Sequence, residues 1–106
     1  MFIADFENSC AFPVQVVAHD YSNAKGNGTQ EQRLEPGSVA EVLSYISFND
    51  DLESSFPATY RLAIAANGSA RELDKQQFLA QLKKSEYLRK GNAIHTWKIS
   101  DSSLCP

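Results

Sequence analysis

The side chains to inspect first for nucleophilic or acid–base work are Cys10, His19 and His95, which could converge with Asp20 or Asp101, together with Tyr60. A nucleophile needs a base within hydrogen-bond reach and a third group that orients the base. The sequence supplies such members without a motif that fixes their spacing. A site made from His19, His95, Tyr60 and Asp101 would have to be assembled from distant strands. The competing reading gives each an ordinary role, with one exposed histidine at a strand end and one satisfied histidine within a sheet.

Metal chemistry has less to work with. Structural zinc sites carry paired Cys/His spacings, and none occurs here. Asn49-Asp50-Asp51-Leu52-Glu53 gathers hard oxygen donors but lacks the alternating ligands and central glycine of a calcium loop. The chain is therefore read as using no metal and no cofactor. Asn27-Gly28-Thr29 and Asn67-Gly68-Ser69 fit the N-glycosylation acceptor pattern, yet both pairs also suit tight hairpin turns.

Charge points to one contact candidate. The chain has 106 residues and a net charge of −3, which gives it no global positive field for a nucleic-acid backbone or an anionic membrane. Between Arg71 and Lys90, however, six basic residues face three acidic ones, leaving four basic and ten acidic residues elsewhere. Lys83 and Lys84 are explained by a helix C-terminus, where cations are favoured. Arg89 and Lys90 fall past the expected helix end and are candidate contacts for another protein or a small ligand. Tyr21, Tyr45, Phe48, Phe56, Tyr60, Tyr87 and Trp97 supply rings, some of which can serve an interface.

The elements that must position these groups are mostly strands. Alternation marks Phe2 to Glu7, Phe12 to Tyr21 and Thr59 to Ala66, and Pro13 places the start of the second run at an edge. Gln30 to Leu34 reads as a polar strand, and Val39 to Phe48 as a β-branched and aromatic one. Pro36-Gly37 and the two Asn-Gly pairs supply turns, Asn49 to Ser55 a loop, and Ser69 to Leu73 a further strand. Asp74 with Gln77 makes a capping box, and Leu73 with Phe78 a hydrophobic staple, for a helix over about 75–85 with Phe78, Leu79 and Leu82 as its buried stripe. Tyr87 and Leu88 fall off that stripe and are expected to pack from a separate segment. After a turn at Gly91-Asn92, Ala93 to Ser100 forms the last strand, with His95, Trp97 and Ile99 on one face.

These elements predict a single, mainly β domain with one helix (α+β), an antiparallel sandwich or curled sheet of six or seven short strands. Its core should contain Val14, Val16, Val42, Ile46, Leu62, Ile64, Phe78, Leu82, Trp97 and Ile99. Cys10 and Cys105 are either bridged, tethering the C-terminal tail, or two unrelated thiols. As written, the chain lacks an export signal and reads as cytoplasmic; if Met1 replaces a removed signal peptide, a secreted or periplasmic location follows. No apolar run is long enough to span a bilayer. A well-made scaffold without a catalytic signature suggests a non-catalytic binding or protein-interaction module, of the small inhibitor, immunity or accessory type. The alternative is a small enzyme or ligand carrier built on His19, His95, Tyr60 and Asp101. Either is compatible with homo-oligomers formed through edge strands.

Overall fold

Side chains that alternate between apolar and polar can satisfy a strand only if one face is covered, and two such sheets solve the problem by covering each other. The computed structural model describes residues 1–23, 28–47, 51–91 and 94–106. It contains β1 (Phe2–Glu7), β2 (Val14–His19), β3 (Thr29–Leu34), β4 (Val39–Tyr45), α1 (Leu52–Ser55), β5 (Arg61–Ala66), β6 (Ser69–Asp74), α2 (Lys75–Lys84), β7 (Glu86–Lys90) and β8 (Ile94–Ile99). One sheet has the order β4-β1-β8-β7 and the other β3-β2-β5-β6. The fold is thus a two-sheet, mostly β domain with one main helix. Among the described residues there are eight strands against the six or seven expected, because Glu86–Lys90 is itself a strand.

Ala4 and Phe6 of β1 share a buried core with Val14, Val16 and Ala18 of β2 and Leu62 and Ile64 of β5, while Phe2 is buried against His95 and Trp97. Sheet two is antiparallel throughout, whereas β1 and β8 run parallel in sheet one and lay the first and last strands side by side. Asn67 and Gly68 both take positive φ, 53° and 80°, as a two-residue turn twisted to suit the β5–β6 hairpin requires. Gly37 has φ 84° behind Pro36, and Ser38 N–H donates to the Glu35 carbonyl over 2.9 Å, closing the turn between β3 and β4.

Helix α2 begins where its capping box places it. The Asp74 carboxylate accepts from Gln77 N–H at 2.8 Å, while Gln77 Oε1 accepts from Asp74 N–H at 3.0 Å. Phe78, Leu79 and Leu82 are buried, and α2 packs on β5, β6 and β8. Phe78 meets Tyr60 at a ring-centroid distance of 4.6 Å and Phe56 at 6.2 Å edge-on, so the helix is joined to the core through aromatic contacts.

Several expectations are corrected. Pro13 does not mark an edge: β2 lies between β3 and β5, and its ladder opens at Val14, so the missing proline N–H removes no ladder bond. Asn49 to Ser55 is not wholly a loop, since Asp51 caps the four-residue α1 by accepting from Glu53 N–H; residues 48–50 lie outside the described residues. Ile46 is 48% exposed rather than in the core. The cause is a bulge in β4: Ala4 pairs with Leu43 and Asp5 with Glu41, so Val42 is an extra residue that inverts the alternation beyond it. Tyr60 donates its hydroxyl to the Val42 carbonyl at 2.7 Å, occupying an acceptor at the bulge. Trp97 is only partly buried, and Tyr87 and Leu88 project from β7 into solvent. The turn expectations at Asn27 and Asn92 fall on residues outside those described.

Cys10 and Cys105 meet, with Sγ atoms 1.98 Å apart and α-carbons 5.8 Å apart, which is disulfide geometry. Asn8 prepares the corner. Its buried side chain donates to the carbonyls of Phe12 and Leu34 at 2.9 and 3.0 Å, and accepts from Cys10 N–H at 2.9 Å. On the other side, Asp101 caps a short 3₁₀ turn, Ser102–Leu104, that seats Leu104 in the core and delivers Cys105.

Candidate interaction site

The parallel β1–β8 ladder places Phe2 beside His95, Ala4 beside Trp97 and Phe6 beside Ile99, all on the inner face of sheet one. On the other flank of β8, Tyr87 pairs with Trp97 and Arg89 with His95, so β7 extends the same face. The result is a strip of stacked rings running from buried to exposed. Phe2 stacks on His95 at 5.1 Å, and Tyr87 leans on Trp97 at 5.1 Å. The Tyr87 hydroxyl and His95 Nδ1 lie 2.6 Å apart, within hydrogen-bond distance, which fixes one ring against the other. Tyr87 nevertheless remains 48% exposed.

Trp97 also forms one wall of a cleft of about 520 Å³ between α1, α2 and β8. Leu52, Leu79 and Leu82 give it an apolar lining; Asp51 and Glu53 stand on the α1 side, Gln76 and Lys83 on the α2 side. Leu79 and Lys83 lie one turn apart, so a single helix face supplies both an apolar and a cationic group.

The four residues of the alternative site are dispersed. His19 is exposed at the end of β2 in sheet two, and His95 lies in sheet one. Tyr60 has no exposed surface, and burial pushes its hydroxyl well above the ordinary tyrosine value. Asp101 is engaged in the 3₁₀ cap, and hydrogen bonds from the Ser103 hydroxyl and N–H hold its carboxyl below the usual range. Only His95 joins the aromatic strip. Arg89 is exposed on its inner-facing side, while Lys90 points to the outer face of the sheet with Leu88 and Glu86.

On that outer face Lys90 and Lys98 approach Asp5, but burial first, and then Glu41, raise the Asp5 carboxyl above its ordinary value. Among the described residues no group of three His, Cys, Asp or Glu side chains is placed to hold a metal ion. Sequence reasoning put His95 and Trp97 on one face. It missed the cleft beside them, whose remaining walls come from α1 and from α2, where Leu79 and Leu82 of the stripe are joined by Gln76 and Lys83. The signal available was Leu79 followed by Lys83, an apolar residue and a cation sharing a helix face.

No protein-family model, no curated protein and no solved structure matches this chain.

Proposed function

We propose that this domain is a non-catalytic interaction module that holds a segment of another protein in the cleft between α2 and β8, with Trp97 and Tyr87 as its anchoring surfaces. The observation that carries this reading is the half-exposed ring strip opening beside an apolar cleft of about 520 Å³. Aromatic rings at a concave, mostly apolar site give large contact energy at small cost in side-chain freedom. Carboxylates on the α1 side and Lys83 on the α2 side favour an apolar anchor residue flanked by polar ones, and they orient it. The dispersal of the titratable candidates supports binding over catalysis. The paired cysteines near the two ends support an oxidising location, such as the periplasm or the exterior.

Trp97 is the single tryptophan, so its fluorescence reports directly on the cleft. Peptides selected from a random library on the immobilised domain should shift that emission saturably; Tyr87→Ala should weaken them about 30-fold or more, the mark of an interface anchor, and Lys83→Glu, exposed on the α2 wall, by a smaller factor. Selected peptides that leave the emission unchanged and ignore both substitutions would defeat the reading, as would a selection that enriches none.

A further inference from the structure

Strand β7 is an edge of sheet one, its five side chains are all exposed, and its sequence is Glu86-Tyr87-Leu88-Arg89-Lys90. Two of the four large apolar side chains left in solvent among the described residues, Tyr87 at 48% and Leu88 at 58%, stand here side by side. A bare edge offers backbone donors and acceptors to any extended chain, and its side chains decide which chain fits.

The β7 sequence fits itself. When two antiparallel copies are related by a twofold axis through Leu88, Glu86 falls opposite Lys90 of the second copy, Tyr87 opposite Arg89, and Leu88 opposite Leu88. Residues directly opposite must share a face, and these do: Glu86, Leu88 and Lys90 lie on the outer face, Tyr87 and Arg89 on the inner one. Each pair is favourable, as an opposite-charge pair, a cation over an aromatic ring and an apolar contact, and the symmetry makes the first two occur twice. Moving the axis by one residue sets Arg89 against Arg89 or Glu86 against Leu88, so the register is specified. The other edges lack this match: β4 is bulged at Val42, and its outer side is already engaged where Ser44 N–H donates to the Tyr21 carbonyl at 2.7 Å. In β6 the two central registers oppose Arg71 to Arg71 or Glu72 to Glu72, and β3 exposes only polar side chains.

From this self-complementarity we infer that the domain forms a symmetric dimer through β7, with the two four-stranded sheets continuing into one eight-stranded sheet. The pairing shares Tyr87 with the proposed binding strip but does not rest on the cleft, whose α2 wall of Leu79 and Lys83 stands off the edge.

Charge reversal tests it. Glu86→Lys and Lys90→Glu each set two like-charge pairs across the axis, and each variant alone should dimerise at least about tenfold more weakly than the parent by sedimentation equilibrium. Mixed together, the first variant brings a lysine at both positions and the second a glutamate at both, so the two pairs across the axis are again opposite in charge. The mixture should therefore recover the parent's affinity as a heterodimer seen by native mass spectrometry. Effects within one copy, such as the neighbourhood of Asp5 and Lys98, are the same alone and mixed, so only pairing across the axis produces the recovery. Lys83→Glu, on the α2 wall of the cleft and away from β7, should leave the dimer intact, which separates failure here from failure of the cleft. A parent that sediments as a monomer up to millimolar concentration, or a mixture no stronger than its components, overturns the inference.

Discussion

Breaking the Cys10–Cys105 bridge should cost a large share of the domain's stability, and the size of the effect follows from the chain it closes. The two cysteines are 95 residues apart in a chain of 106, so the oxidised unfolded chain is a near-complete ring. In the chain-entropy description the lost freedom is about 2.1 + 1.5R ln n, close to 16 cal/mol/K, or about 4.7 kcal/mol at 25 °C. The folded side changes little, because Asn8 still holds Cys10 N–H, Leu104 stays in its apolar seat, and the Ser9 and Ser100 hydroxyls remain 2.9 Å apart. A Cys10→Ser/Cys105→Ser double variant should therefore lose about 4–5 kcal/mol in urea unfolding followed by Trp97 fluorescence and far-ultraviolet circular dichroism, against a total that for such domains is about 5–15 kcal/mol. The open variant should also show a steeper denaturant dependence, since its unfolded chain exposes more surface. Equal midpoints for the two proteins, or free alkylation of both thiols in protein prepared without reductant, would refute the reasoning.

Asp74→Ala removes the acceptor for Gln77 N–H and should cost about 1 kcal/mol by the same unfolding assay, with Asp74→Asn losing much less. Leu82→Ala empties a buried position between α2 and the core and should cost about 2–5 kcal/mol, with the parent fold retained in the circular dichroism spectrum. Asp5→Asn should raise the melting temperature at pH 7. The raised Asp5 carboxyl binds its proton more tightly when folded, so its ionisation opposes folding as pH climbs past the ordinary carboxylate value; the gain should fade as pH drops below that value. By native-state hydrogen exchange, β1 and β2 amides bonded within the sheets should exchange only with global unfolding, whereas β7 should open locally at low protein concentration and slow as concentration rises.

How much of this was legible in the residues depends on how local each signal is. The capping box at Asp74 and Gln77 and the turns at Pro36-Gly37 and Asn67-Gly68 depend on a few adjacent side chains, and they stand where the sequence places them. The β4 bulge depends on pairing with β1, forty residues away in the chain, so the residues alone assigned Val42 and Ile46 to one face and erred on Ile46. Strand β7 was not visible as a strand because charge, aromatic, apolar, charge, charge shows no clean alternation, and its ladder comes from β8 rather than from its own preference. Residue periodicity placed His95 and Trp97 on a common face but could not say that the same face would be left partly uncovered, since that depends on how far α2 reaches.

The reach of α2 links the two proposals. Sheet one places β1 and β8 at its centre, where the parallel ladder and the Cys10–Cys105 pair bind the beginning of the chain to its end. Helix α2 then packs from β5 and β6 across to β8, and it stops at Lys84 with the chain turning at Ser85 into β7. Sheet one therefore carries one more strand on that side than the helix buries, and all five β7 residues remain exposed. The inner face of this overhang is the Tyr87–Trp97 strip that opens toward the cleft; its rim is the self-complementary edge. Had α2 continued another turn, Glu86 and Tyr87 would have been helical, β8 would have ended the sheet, and neither surface would exist. The capping box sets where the helix starts, and the off-stripe positions of Tyr87 and Leu88 remove the apolar reason to prolong it, so a short stretch of local sequence decides what this domain presents to a partner.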